Sequence, residues 1–112
     1  MGHSHQLSVI VPTHGRVDLF CKTLDSIKAQ TWHGFELIVT DDSSQEDDRR
    51  QIRELVDSYS VETSRTAQYV FTAPRMGQAA NTNQGLRAAT GQILRILHSD
   101  DLVRPGCFQW EV

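Results

Sequence analysis

The chain of 112 residues has only two cysteines, Cys21 and Cys107, and no Cys-x-x-Cys. That excludes a disulfide framework and fits a reduced, cytoplasmic setting in which both thiols are buried and unreactive. No apolar stretch approaches the roughly 18 residues that a membrane span requires. The start, Met1-Gly2-His3-Ser4-His5-Gln6, lacks the hydrophobic segment of a secretory signal. Membrane attachment of a longer parent protein stays open. There is no cluster of Lys and Arg, with 11 basic residues against 14 acidic and a net charge of −3. Nucleic acid is therefore not the expected partner. Glycine-rich phosphate loops are also missing. The first loop reads Pro12-Thr13-His14-Gly15-Arg16, which is neither Gly-x-Gly-x-x-Gly nor Gly-x-x-x-x-Gly-Lys-Ser/Thr. Dinucleotide-binding Rossmann sites and P-loop NTPases are thereby set aside. An acidic chain that binds a polyanion needs a local cation, and a divalent metal bridging carboxylates and phosphates would supply it.

What is present fits one globular domain, with 38% hydrophobic and 22% charged residues. Residues 1–6 read as a flexible leader, and 7–112 as the folded part. Short apolar runs predict strands over 7–11 (closed by Pro12), 35–40, 68–71 and 92–97. Helical spacing of Phe20, Leu24 and Ile27 predicts a helix over 17–30. Ile52, Leu55, Val56 and Tyr59 predict a second helix, with Ser44 as N-cap and an end near Ser60. A third, over 78–89, is rich in small residues and is followed by Gly91 as a C′ residue. The order βαβαβαβ predicts an α/β fold, a parallel open sheet with helices on both faces. Arg95 has no evident place in the fourth strand. A sheet this small is expected to leave an apolar edge uncovered, so the chain reads as truncated or as self-associating.

Two of the strands run into paired acids. Asp41-Asp42 follows Phe35-Glu36-Leu37-Ile38-Val39-Thr40, and Asp100-Asp101 follows Ile93-Leu94-Arg95-Ile96-Leu97-His98-Ser99. The carboxyl edge of an open α/β sheet is where ligands bind. An acid pair there is suited to a hard cation through oxygen ligands. The plainer reading of both pairs is local capping of turns and helix starts. His98 is first a packed strand-end histidine and only second a metal ligand.

Several segments in one order resemble the N-terminal half of family 2 glycosyltransferases of the GT-A, Rossmann-like fold. They are Ser8-Val9-Ile10-Val11-Pro12-Thr13, Thr23-Leu24-Asp25-Ser26-Ile27, Gln30-Thr31, Phe35 to Ser44, Asn83-Gln84-Gly85-Leu86, Ala89-Thr90-Gly91 and Ser99-Asp100-Asp101. The resemblance implies an inverting, metal-dependent transfer of a sugar from a nucleotide-diphospho-sugar, with a UDP-sugar favoured, to an unknown acceptor hydroxyl. It implies that Pro12 and Thr13 lie beside the nucleobase and that Asp42 accepts a hydrogen bond from it. Arg75 would lie near the base or phosphates, and Asp100 near the ribose or sugar. Asp101 would ligate Mn2+ or Mg2+, with Asp100 a second candidate and His98 a weaker one. Arg16 is counted with the donor site, and as plain loop chemistry it could equally pair with Asp18 or Asp42. The chain departs from the family at His14-Gly15-Arg16 (often Tyr-Asn-Arg), at Thr82 (often Arg) and at His98 (often Asp). The general base is expected beyond Val112, so this chain alone is expected to be inactive. The alternative is a non-catalytic nucleotide-binding module, or a homo-oligomer formed through the uncovered edge.

Overall fold

The structure, a computed structural model, describes residues 7–30, 34–72, 77–91 and 93–97, with backbone alone for 77–79. Its elements are β1 (Leu7–Thr13), α1 (Val17–Lys28), β2 (Phe35–Asp41), α2 (Glu46–Thr63), β3 (Ala67–Phe71), α3 (Gly77–Ala88) and β4 (Ile93–Ile96). The strands form one sheet in the order β3-β2-β1-β4, and every pairing is parallel. The chain steps outward from β1 to β3 and then returns to the other side of β1. In such sheets the reversal of strand order opens a crevice at the carboxyl edge.

The two sheet faces follow from residue parity. Leu7, Val9 and Val11 of β1 and Phe35, Leu37 and Val39 of β2 join Phe20, Leu24 and Ile27 of α1 and Ile52, Val56 and Tyr59 of α2 in one buried cluster. Burying a side chain of this kind stabilises by roughly 1.5–3 kcal/mol. The helical stripes read from the sequence are thus the buried ones. Helix α3 covers the opposite face. A Cβ on Gly85 would come within 2.4 Å of Ile10 Cγ2 and 3.1 Å of Thr40 Cγ2, so only glycine lets the helix lie this close. Helices on both faces of a parallel sheet are what the element order predicted.

Glu36 faces the α3 side near the amino ends of the strands and is buried. It accepts hydrogen bonds from Ser8 Oγ at 2.6 Å, Thr90 N at 2.7 Å and Thr90 Oγ1 at 2.9 Å. Gly91 N donates to Ser8 Oγ at 2.7 Å. This network fastens the α3–β4 turn to the sheet. At the α1–α2 end, buried Arg65 donates to Ile27 O at 3.0 Å and to Gln30 O, and lies over the rings of Phe35 and Tyr59. It therefore closes the carbonyl end of α1.

Some sequence expectations are corrected. Pro12 does not end β1; it pairs with Thr40 inside the strand. Ile10 O receives Leu97 N on the β4 side, whereas Thr13 O receives Asp42 N on the β2 side. By alternation Pro12 turns its nitrogen toward the β4 side, past the last pair Ile10–Ile96, so the missing N–H breaks no bond to β2. Helix α2 begins after Gln45, not Ser44, without a side-chain cap, and runs one turn past Ser60. The extra turn is held by Thr63 Oγ1 donating to Tyr59 O at 2.7 Å, and Ser64 ends it in the left-handed region. Gly91 does not supply a left-handed turn. Its Cβ would lie 2.7 Å from Ser8 N, so the requirement is close backbone approach. Cys21 is only half-buried rather than fully buried. Among the described residues β4 is the outer strand beside β1, and Ile93, Leu94 and Ile96 stay 37–48% exposed.

Candidate functional site

At the carboxyl edge Thr13 stands opposite Asp41, and the loops that follow β1 and β2 are joined. Asp42 N donates to Thr13 O at 3.2 Å, and Gly15 N donates to Ser43 Oγ at 2.6 Å. His14 Nδ1 lies 3.2 Å from Asp42 O and 2.8 Å from Asp42 Oδ1. Both neighbours of that nitrogen are acceptors, so Nδ1 carries the proton. The first loop makes this turn through two successive left-handed residues, Gly15 at φ 62° and Arg16 at φ 46°. Glycine adopts that conformation without strain.

The two adjacent acids do different work. Asp41 is fully buried. Its Oδ1 accepts from Ser43 N at 2.9 Å and from Ser43 Oγ, and its Oδ2 accepts from Tyr69 OH at 2.7 Å. Burial, followed by the bond to Asp41, pushes the Tyr69 phenol well above its ordinary value, so it remains a donor. Asp41 is therefore a structural carboxylate that aims the β2–α2 loop. The capping reading of this pair applies to Asp41 alone. Asp42 is 4% exposed, and its Oδ1 is held by His14. Its Oδ2 accepts no hydrogen bond from the described residues. The bond to Asp42 raises the His14 imidazole above its ordinary value, against a smaller opposing effect of burial.

Asn81 of α3 completes the frame. Its Nδ2 donates to Thr13 O and Thr40 O, both at 3.3 Å, and Thr72 Oγ1 donates to its Oδ1 at 3.0 Å. Thr72 N also donates to Asp41 O at 2.8 Å. One amide thus fixes the separation of β1 and β2 where the loops leave the sheet. Sequence reasoning missed Asn81, His14, Ser43 and Tyr69 as site-forming residues. The available signal for Asn81 was its spacing: Asn81, Gly85 and Ala88 fall at i, i+4 and i+7, on the stripe that faces the sheet.

Of the sequence-derived site residues, Pro12, Thr13 and Asp42 come together at this edge. The Thr13 hydroxyl is buried without a hydrogen-bond partner, and its carbonyl makes the contacts. Arg16 lies at the start of α1 with its guanidinium 3.7 Å from Asp18, and both side chains are exposed. It does not pair with Asp42. Arg75, His98, Asp100 and Asp101 lie outside the described residues, as do Trp32, Trp110 and Cys107. The strand that leads to the second acid pair runs parallel to β1 toward this edge, and Leu97 N donates to Ile10 O at 2.8 Å, three residues before Thr13. Among the described residues no three or more His, Cys, Asp or Glu side chains converge as a metal site. Asp41 is committed to Ser43 and Tyr69 and one Asp42 oxygen to His14, which leaves Asp42 Oδ2 as the oxygen of this pair that accepts no hydrogen bond from the described residues.

Comparison with known proteins places these features in context. The family model described as Glycosyl transferase family 2 matches residues 8–110. A GalNAc(5)-diNAcBac-PP-undecaprenol beta-1,3-glucosyltransferase of Campylobacter jejuni is 33% identical over 101 residues, which are 90% of this chain and 31% of that protein. The mannosyltransferase PcManGT from Pyrobaculum calidifontis, solved in complex with GDP-Man and Mn2+, superposes with a TM-score of 0.76 at 28% identity, covering 89% of this chain and 29% of that one. S. aureus TarS in complex with UDP superposes with a TM-score of 0.74 at 25% identity, covering 88% and 28%. The chain therefore spans less than a third of these relatives' length.

Proposed function

The chain belongs to glycosyl transferase family 2, and from that premise we propose that it is the donor-binding part of a metal-dependent, inverting glycosyltransferase. In this reading it binds a nucleotide-diphospho-sugar at the carboxyl edge of β1 and β2, and the transfer serves polysaccharide or cell-wall synthesis. The observation that carries the reading is the Asp42 carboxylate. It is buried, held through one oxygen, and has its other oxygen without a partner among the described residues. A buried acceptor of that kind is suited to a base N–H, because a charge-assisted hydrogen bond in a shielded place is strong. Relatives solved with GDP-Man and with UDP support a nucleotide-sugar as the ligand class.

Pro12 and Thr13 form the wall beside Asp42, and Asn81 keeps that wall at a fixed distance from β2. Asp41 orients the loop and takes no part in binding. Asp101, with Asp100 beside it in sequence, is assigned to the divalent cation, which when bound neutralises the diphosphate leaving group. The proton of the acceptor hydroxyl goes to a carboxylate outside this chain. Pairing through the exposed β4 residues is the competing reading, favoured by Leu94 at 48% exposure.

The test is calorimetric titration of the chain with UDP, with and without Mn2+, repeated on Asp101→Asn. Binding that requires the cation and is lost in the variant is the expected result. Metal-independent binding would reject the metal assignment. No binding in any condition, together with a dimer in sizing experiments, would favour the competing reading.

A further inference from the structure

The relatives leave the base open, since one was solved with a guanosine and another with a uridine diphosphate. The geometry at Asp42 bears on that choice. His14 Nδ1 carries a proton in either protonation state of the ring, because Asp42 O and Asp42 Oδ1, at 3.2 and 2.8 Å, both accept. Oδ1 is thereby engaged, and Oδ2 is the oxygen left for a ligand. The groups around the ring are Asp42 itself, Asp41 behind it, Asp48 beside Gly15, Arg16 on the same loop and Arg49, which donates to Ser43 O at 3.0 Å. Among the described residues only Asp42 bonds the imidazole.

Resting on the nucleotide-binding reading above, we propose that His14 is a specificity-determining positioning residue, one that turns Asp42 into a single-oxygen acceptor and so favours a uracil-type base over guanine. Uracil presents one ring N–H between two carbonyl oxygens. It needs one acceptor oxygen, and a second bare carboxylate oxygen nearby would face a carbonyl and repel it. The Nδ1–H bond draws charge from that second oxygen and holds it aside. Guanine presents two adjacent N–H groups, and these match a carboxylate that has both oxygens free. With Oδ1 held by His14, one of the two is left poorly matched. Discrimination of this sort comes from the contact denied to the competitor as much as from the one offered to the ligand.

The experiment measures UDP and GDP affinity with Mn2+ present, on the chain and on its His14→Ala and His14→Asn variants, after melting curves show that each variant folds. The chain is expected to bind UDP about ten-fold tighter than GDP, a factor typical of one charge-assisted hydrogen bond. His14→Ala is expected to bring the two within about three-fold of each other, mainly by a gain for GDP. His14→Asn, which restores an N–H donor, is expected to recover part of the preference. A preference for GDP in the unmodified chain overturns the proposal. So does a UDP-to-GDP ratio that His14→Ala leaves unchanged while both affinities fall together, which is the mark of a merely structural residue. In either of those cases nucleotide binding itself stands. If the chain binds neither nucleotide, the functional reading fails and the proposal fails with it. Should His14→Ala not fold, His14→Asn and His14→Gln give the same comparison.

Discussion

Glu36 and Asp42 lie at opposite ends of one strand segment, and both are buried carboxylates. At the amino end, one Glu36 oxygen takes three donors, from Ser8 and Thr90, and the result is a fastening. At the carboxyl end Asp42 has a single side-chain partner among the described residues, and that partner is a surface histidine. A buried acid saturated by backbone and hydroxyl donors stabilises the fold, and one left partly unsatisfied is held ready for something else. The same contrast is repeated between neighbours, with Asp41 saturated and Asp42 not.

Substitutions can break this comparison. The largest effect is expected from Glu36→Ala. It leaves the buried Ser8 hydroxyl without its acceptor and removes both Thr90 contacts that fasten the α3–β4 turn, at a cost of about 3 kcal/mol. Thermal melting should show the loss, and UDP affinity at the distant edge should survive in the folded fraction. Gly85→Ala comes next. A Cβ 2.4 Å from Ile10 Cγ2 forces α3 off the sheet, at a cost of about 1–3 kcal/mol. Chemical denaturation measures it as a lower midpoint at constant slope.

Asp41→Asn and Asp42→Asn sharpen the contrast between neighbours. Asp41→Asn loses part of the Ser43 and Tyr69 bonding and should destabilise by about 1–3 kcal/mol. Asp42→Asn should change stability by less than about 1 kcal/mol, because its side-chain partner His14 is exposed.

The smallest effect is in the pH dependence of stability. The bond to Asp42 raises His14 above its unfolded value, so the folded state binds the proton more tightly. The stabilisation is then complete below the unfolded value near 6.5 and is lost as pH rises through the raised folded value. Comparing the chain with His14→Ala by melting across that window should show a difference at low pH that fades as pH rises. It should be small and salt-sensitive, since the ring is 66% exposed.

Much of the scaffold was legible in the sequence because it rests on local periodicity. The stripes of Phe20, Leu24 and Ile27 and of Ile52, Val56 and Tyr59 are the buried faces of α1 and α2. The alternation of strands and helices gave the parallel sheet. Boundaries drifted where a long-range arrangement decided them. Pro12 stays in β1 because its nitrogen faces past the end of β4 pairing. The acid pair after β2 was legible as a feature, but its division of labour was not. Tyr69 reaches Asp41 across 28 positions, His14 reaches Asp42 across 28, and Asn81 reaches Thr13 across 68. No local pattern encodes such partners. Glu36 was equally hidden, reading as a charge in a strand until Thr90 closed on it from 54 positions away.

The measurement that bears most directly on the central claim is UDP titration, with Mn2+ present, of Asp42→Asn beside Asp41→Asn and the unmodified chain. The account predicts that Asp42→Asn keeps its melting temperature and loses about ten-fold in UDP affinity. It predicts that Asp41→Asn loses stability first. UDP affinity unchanged in a folded Asp42→Asn would contradict the claim that this carboxylate recognises the donor.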